Sequence, residues 1–156
     1  MAKEIERKFL VKGDFKKHAI KSYIIAQGYL SKVPERTVRV RIRDDQGFLT
    51  IKGVGNASGT TRFEWEKEIS KQDAENLLAI CEPSTIEKIR YIIPTSYNLF
   101  FEVDEFFGEN SGLIVAEIEL PNENTSFEKP TWLGEEVTGN QKYYNTMLAI
   151  KPFKDW

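Results

Sequence analysis

From Glu4 to Leu120 the sequence keeps one habit: alternate residues carry full charges, and the residues between them are apolar. Side chains at i and i+2 of a strand share a face, so a period of two predicts strands with one ionic and one apolar side. Glu4, Glu6 and Lys8 oppose Ile5, and Arg39, Arg41 and Arg43 oppose Val38, Val40 and Ile42. Lys52 follows Thr50 on the face opposite Leu49 and Ile51, and Arg62, Glu64, Glu66 and Glu68 oppose Phe63 and Trp65. Lys88 and Arg90 oppose Ile89 and Tyr91, Glu102 and Asp104 oppose Phe101 and Val103, and Glu117 and Glu119 oppose Ala116, Ile118 and Leu120.

One such strand is an ordinary half-buried strand with a wet face. Seven are a different matter, because wet faces usually mix Thr, Ser, Gln and Lys, whereas these carry almost nothing but full charges. They also set like charges at i and i+2, as in Glu4/Glu6, Arg39/Arg41, Glu64/Glu66, Glu102/Asp104 and Glu117/Glu119. In a partly enclosed space each such pair costs about 1–2 kcal/mol. Opposite-sign strands side by side relieve part of that cost, and a bound polyanion with divalent cations relieves more. The pattern therefore predicts ionic faces turned inward, with bases along part of the wall and carboxylates along another.

The runs place strands at about 3–12, 23–33, 36–44, 47–54, 60–69, 86–93, 99–107 and 113–120, with turns at Asp44–Gly47, Gly53–Gly59, Pro94–Asn98 and Gly108–Gly112. Helices are few. Ser70 reads as an N-cap for a helix carrying Ala74, Leu77, Leu78 and Cys81 on its apolar side. A second helix is expected from about Asn140 to Ile150 and a short one after Asp14. The fold class is mainly β (α+β): a closed eight-stranded antiparallel β-barrel tunnel with a charged lumen and a few flanking helices. At 156 residues the chain is expected to form one domain, 1–156. Apolar outer faces such as Phe63 and Trp65 need cover, from the helices or from a second copy, which predicts a homodimer.

Composition narrows the chemistry. The net charge of −2 argues against nucleic acid as a partner. No run approaches the roughly 18 apolar residues of a membrane span, and the N-terminus lacks an apolar signal core, so no membrane and a cytoplasmic location are expected. One cysteine and one histidine rule out multi-cysteine zinc sites and make histidine-based triads poor candidates. Any metal is then held by oxygen. Arginine suits bidentate phosphate contact and clustered carboxylates suit Mg²⁺ or Mn²⁺, and together they describe a phosphoryl-transfer site without a P-loop. His18 reads as a surface residue, Cys81 as a small core residue, and Trp132 and Trp156 as packing anchors.

An ExExK series stands at Glu4-Ile5-Glu6-Arg7-Lys8, and in it the chain resembles the CYTH superfamily, the triphosphate tunnel metalloenzymes. The likeness continues through Gln27-Gly28-Tyr29-Leu30, Arg39-Val40-Arg41, Thr50-Ile51-Lys52-Gly53, Glu64-Trp65-Glu66 and Glu87-Lys88-Ile89-Arg90-Tyr91. It runs on in Glu102-Val103-Asp104, Ala116-Glu117-Ile118-Glu119, Trp132 to Gly139 and Tyr143-Tyr144-Asn145. The short, stand-alone bacterial members are the most similar.

The resemblance implies hydrolysis of a triphosphate, first of all inorganic tripolyphosphate, with Mg²⁺ or Mn²⁺. A class IV adenylyl cyclase, a thiamine triphosphatase and a non-catalytic polyphosphate- or nucleotide-binding module are the alternatives. It implies metal-binding carboxylates at Glu4, Glu6, Glu117 and Glu119, with Glu64, Glu66 and Asp104 as contributors. Lys8, Arg39, Arg41, Lys52 and Arg90 are implied to grip phosphate oxygens, and Lys88 to orient the substrate or assist the leaving group. Glu66 is a candidate acceptor of the attacking water's proton, with Glu64 beside it. Tyr29 is implied to stand at the tunnel mouth, and the segment after Thr138, with Lys142, to plug or brace one end. Arg43 and Arg62 are expected where their strands leave the lumen.

Overall fold

The alternation closes on itself. The computed structural model describes residues 3–156, in which nine strands follow one another: β1 (Lys3–Val11), β2 (Lys21–Ser31), β3 (Thr37–Arg43), β4 (Gln46–Gly55), β5 (Thr61–Ile69), β6 (Ile86–Pro94), β7 (Phe100–Phe106), β8 (Ile114–Glu119) and β9 (Leu133–Glu136). They pair antiparallel in the order β5-β4-β3-β2-β6-β7-β8-β1-β9, and β5 also pairs with β1. That last pairing, from Lys3↔Phe63 to Ile5↔Thr61, turns the eight expected strands into a barrel.

β1 closes the barrel with only its first half. Farther along the same edge it pairs with β9, through Phe9↔Glu136 and Val11↔Leu133, and Lys8 N donates to Thr138 Oγ1 at 2.9 Å. β9 was not expected, since Leu133-Gly134-Glu135-Glu136 is short and shows no alternation. Gly134 makes the pairing feasible: a Cβ there would stand 3.0 Å from the Leu10 carbonyl oxygen.

Helix α1 (Lys71–Ala79) begins as expected, with Ser70 Oγ accepting from Asp73 N at 3.0 Å. It lies against β2, β3 and β4. Gly47 lets it approach, since a Cβ there would come within 2.8 Å of Ala74 Cβ. Cys81 falls just past the helix rather than on it, half-buried against Gly28.

The expected helix over 140–150 is broken in two. A 3₁₀ turn at Gln141–Tyr143 and a single helical turn, α2 (Asn145–Leu148), flank Tyr144, whose backbone is extended at φ −71° and ψ 138°. The break lets the segment fold into the barrel's end, where both Tyr143 and Leu148 are buried. The short helix after Asp14 is one 3₁₀ turn, Lys16–His18, beside the buried Phe15.

Two apolar masses result, one on each side of the barrel wall. Outside β1, β6, β7 and β8, a cluster of Phe9, Phe101, Val103 and Ile118 is covered by Phe15, Phe127 and Trp132. Inside one end, Tyr29, Ile86, Phe106 and Val115 pack with Val137, Tyr143 and Leu148, so the C-terminal segment is a plug and the tunnel is a pit with a floor. The same cluster explains why the lumen-facing period becomes apolar at Leu10, Ile86, Phe106 and Val115. Phe63 and Trp65 on the outer face of β5 remain 38% and 42% exposed. Among the described residues no helix is long and apolar enough to cross a membrane.

Candidate active site

The inward faces enclose a cavity of about 180 Å³. Glu4, Glu6, Lys8, Tyr29, Arg39, Arg41, Lys52, Glu64, Glu66, Lys88, Arg90, Glu117 and Glu119 all line it, so thirteen of the fourteen expected site residues share one space. Strand register disposes their charges. Lys8 stands opposite Glu117, Glu4 opposite Arg62 and Lys52 opposite Glu64, whereas Glu6 faces Glu119 and Glu102 faces Glu117. Cross-strand neighbours of opposite sign offset the repulsion along each strand. The pairs of like sign leave a surplus of carboxylate on the β1–β8–β7 wall.

The cations are held firmly. Lys52 Nζ donates to both oxygens of Glu4, at 3.0 and 2.9 Å, and lies 3.3 Å from Glu64. Lys8 Nζ reaches Glu117 at 3.5 Å and the Tyr143 carbonyl at 3.4 Å, under the ring of Tyr144. Arg39 Nη2 donates to Thr50 Oγ1 at 3.1 Å, and Arg41 Nε to Gln27 Oε1 at 2.8 Å. Nε of Arg39 and of Arg43 is buried with no hydrogen-bond partner among the described residues, which suits an anion entering from the cavity. Burial, with Arg39 and Arg90 nearby, pulls Arg41 down to about 9.

The carboxylates divide into two kinds. Burial opposes ionisation of Glu4 and Glu117, yet Lys52 with Arg62, and Lys8 with Arg90, hold them well below the usual range. Burial and the neighbouring Glu117 and Glu4 push Glu6 well above that range. Burial and Glu4 lift Glu64 to about 7, and burial with Glu4 and Glu102 raises Glu119. Glu6 and Glu117, and Glu64 and Glu4, are neighbours whose like charges oppose each other, a repulsion that a shared proton or a nearby cation would relieve.

That donor chemistry fits a hard divalent ion. Among the described residues no three carboxylates converge on one point as a finished cage. Mg²⁺ is commonly bound by one or two carboxylates, the remaining positions filled by water and substrate phosphate. Pairs of glutamates beside a cationic wall suit that demand.

Asp104 is the exception to the expected set. It is on the inner face but covered by Arg90 and Lys88, with both oxygens engaged: Arg90 Nε and Nη2 donate at 2.8 and 2.9 Å, and Lys88 Nζ lies 2.7 Å away. Burial opposes its charge, but Arg90 and Lys88 hold it down at about 2. It clamps two cations and has no free oxygen to offer a metal. Lys88 is fully buried, and burial, reinforced by Arg90 and Arg41, lowers it to about 7 despite Asp104.

Other placements differ from expectation. Tyr29 is buried at the plugged end, where its hydroxyl receives Gln27 Nε2 at 3.3 Å, and it does not stand at the mouth. Arg62 and Arg43 both remain in the lumen, Arg62 against Glu4 at 3.4 Å and Arg43 between the rings of Tyr23 and Phe48. Glu66 is partly exposed and receives Thr50 Oγ1 at 2.7 Å. Lys142 stacks on Trp156 at 4.3 Å rather than lining the cavity. Thr37, Arg43, Arg62, Glu102 and Asn145 join the wall, and the wholly buried Gln27 and Thr50 support it. Strand parity was enough to find Gln27; Asn145 sits on the plug, where no period of two applies.

Residues 2–147 match the CYTH domain family. The chain is 46% identical along its whole length to an inorganic triphosphatase of Acetivibrio thermocellus, of which the match spans 99%. It is 37% identical to an inorganic triphosphatase of Nitrosomonas europaea, over 94% of this chain and 97% of that protein. A crystal structure of an inorganic triphosphatase superposes with a TM-score of 0.68 at 34% identity, over 94% of this chain and 97% of the other. A family match over residues 2–147 and two relatives 46% and 37% identical along nearly their whole length leave one assignment: the chain belongs to the CYTH domain family.

Proposed function

We propose that the chain hydrolyses inorganic triphosphate to pyrophosphate and phosphate, assisted by Mg²⁺ or Mn²⁺. The observation that carries this reading is the cavity itself, a closed-ended pit walled by cations on one side and carboxylates on the other. Its relatives named inorganic triphosphatase support the same reading.

Lys8, Arg39, Arg41, Lys52 and Arg90 bind non-bridging phosphate oxygens and offset charge that grows on the transferred and leaving groups. Lys88, on the floor near the plug, orients the phosphoryl group that enters first. Glu4, Glu6, Glu117 and Glu119, with Glu64, would hold the metal. A divalent ion there supplies positive charge to the phosphate oxygens and lowers the pKa of a bound water. Glu64 and Glu66 are the candidates to take the attacking water's proton, and their glutamine variants separate the two.

The test is phosphate release from tripolyphosphate with and without Mg²⁺ or Mn²⁺, in competition with ATP and thiamine triphosphate. Metal-dependent release that ATP and thiamine triphosphate barely inhibit is the expected result. Preferred turnover of either organic triphosphate moves the substrate, and binding without release makes the chain a binding module.

A further inference from the structure

Two side-chain amides join Arg41 to Lys88 across the floor of the cavity. Arg41 Nε donates to Gln27 Oε1 at 2.8 Å, Gln27 Nε2 donates to Asn145 Oδ1 at 3.2 Å, and Lys88 Nζ donates to that same oxygen at 3.0 Å. Both ends are cations that can only donate, so the orientation of each amide is fixed from outside. Gln27 is wholly buried. Asn145 lines the cavity, and with Oδ1 taken by two donors its amino group is left as the donor available there.

The cavity's other cations show what is unusual here. Lys52, Lys8 and Arg90 each lie against a carboxylate. Arg41 takes its Nε bond from a neutral amide, and Lys88 divides its contacts between Asp104 and one. A neutral acceptor holds a cation in place and leaves its charge undiminished. A carboxylate at the same place would hold it as well and cancel the charge that draws phosphate.

We propose that Gln27 and Asn145 form a neutral spacer that sets the separation of Arg41 and Lys88, and that they are positioning residues which keep both cations available to a phosphate chain. The inference rests on the triphosphate reading of the cavity. It also gives the plug a role in the site: through Asn145 the C-terminal segment fixes Lys88 from below.

Gln27→Glu and Asn145→Asp change the charge and almost nothing of the shape, so they separate the spacer's neutrality from its bulk. Asn145→Asp keeps the accepting oxygen and gains an ion pair with Lys88, so its melting temperature is expected to equal or exceed that of the wild-type chain, whereas Gln27→Glu gains a pair with Arg41 but loses the Nε2 bond to Asn145 and is expected to melt lower. In the same variants the Kd for tripolyphosphate, titrated calorimetrically in EDTA so that no turnover occurs, rises at least tenfold. With metal present, KM rises by a similar factor and kcat changes less. Charge variants that bind tripolyphosphate as tightly as the wild type overturn the proposal. So does a lowered melting temperature in Asn145→Asp, which would make the amides fold residues. A wild-type chain that binds tripolyphosphate in EDTA but never cleaves it sinks the proposed activity alone, and the binding titration still decides the spacer.

Discussion

Asp104 meets Arg90 edge to edge, with Nε on Oδ1 at 2.8 Å and Nη2 on Oδ2 at 2.9 Å, both side chains nearly sealed from solvent. The two-point contact fixes the guanidinium plane and leaves Nη1 to reach Glu102 at 3.3 Å. Asp104→Asn keeps the shape but strips the counter-charge from Arg90 and Lys88, and breaking a buried pair in this way costs about 3–5 kcal/mol. Denaturant unfolding is expected to show that loss. The metal concentration needed for half-maximal activity is expected to stay unchanged, because Asp104 is not a ligand in this reading. A shifted metal dependence with unaltered stability would return Asp104 to the metal set.

Glu119 is predicted to behave in the opposite way. It faces Glu6 across the β1–β8 ladder and is raised by burial and by Glu4 and Glu102, so its charge is unwelcome among these neighbours. A carboxyl with a folded pKa above its unfolded value favours the fold at low pH and loses that contribution as pH rises through the folded pKa. At neutral pH, Glu119→Ala therefore leaves melting unchanged or raises it. Metal-dependent phosphate release falls by about a hundredfold or more. Unaltered turnover in that variant removes Glu119 from the machinery.

How much of this was legible beforehand depends on which residues obey a period. The lumen was readable because strand parity alone sorts Glu4, Arg41, Lys88 and Glu117 to one side, and closure of the sheet then brings them together whatever the register. Asp104 shows the limit: it has the right parity, but only the register Arg90↔Asp104 and the contact with Lys88 show that those two cations cover it. Tyr29 was misplaced for a related reason, since parity gives the face and says nothing about which end is plugged. The plug was expected, but its form was not. Tyr144 takes an extended conformation and breaks the helix because burying Tyr143 and Leu148 inside the barrel outweighs one more turn of local hydrogen bonding.

Lys88 carries a pH prediction. Its neighbours from the surrounding strands are Arg90 on β6, Asp104 on β7, Arg41 on β3 and Glu117 on β8, with Asn145 from the plug. Burial lowers it to about 7, so the free protein loses this positive charge as pH rises through neutrality. On that limb, kcat/KM for tripolyphosphate is expected to fall by up to about tenfold per pH unit. Stability runs the other way, because a lysine lowered on folding makes the unfolded chain the better proton binder between about 7 and the ordinary lysine value. Lys88→Arg keeps its charge at every relevant pH and is expected to abolish the limb near 7. A limb that survives in Lys88→Arg belongs to another group.

The plug is latched by two glycines. Gly59 on the β4–β5 loop and Gly139 before the plug both have left-handed backbones, with φ of +74° and +78°, and a Cβ on Gly59 would stand 2.5 Å from Gly139 Cα. Gly59→Ala combines a strained backbone, worth about 1–3 kcal/mol, with a backbone clash that only separation of the two segments can relieve. Amide exchange is expected to quicken across 139–149 more than in β2 or β6, and kcat/KM to fall because Asn145 travels with the segment. Gly108→Ala is the control: its φ of +64° is also left-handed, but a Cβ there meets nothing within 4 Å. It carries the backbone strain without the clash, and its turn holds the chain at Phe153 and Lys154 rather than at the latch, so exchange at 139–149 and kcat/KM are expected to change much less than in Gly59→Ala. Equal effects from the two alanines would show that backbone strain alone is at work and that the glycine contact holds nothing in place.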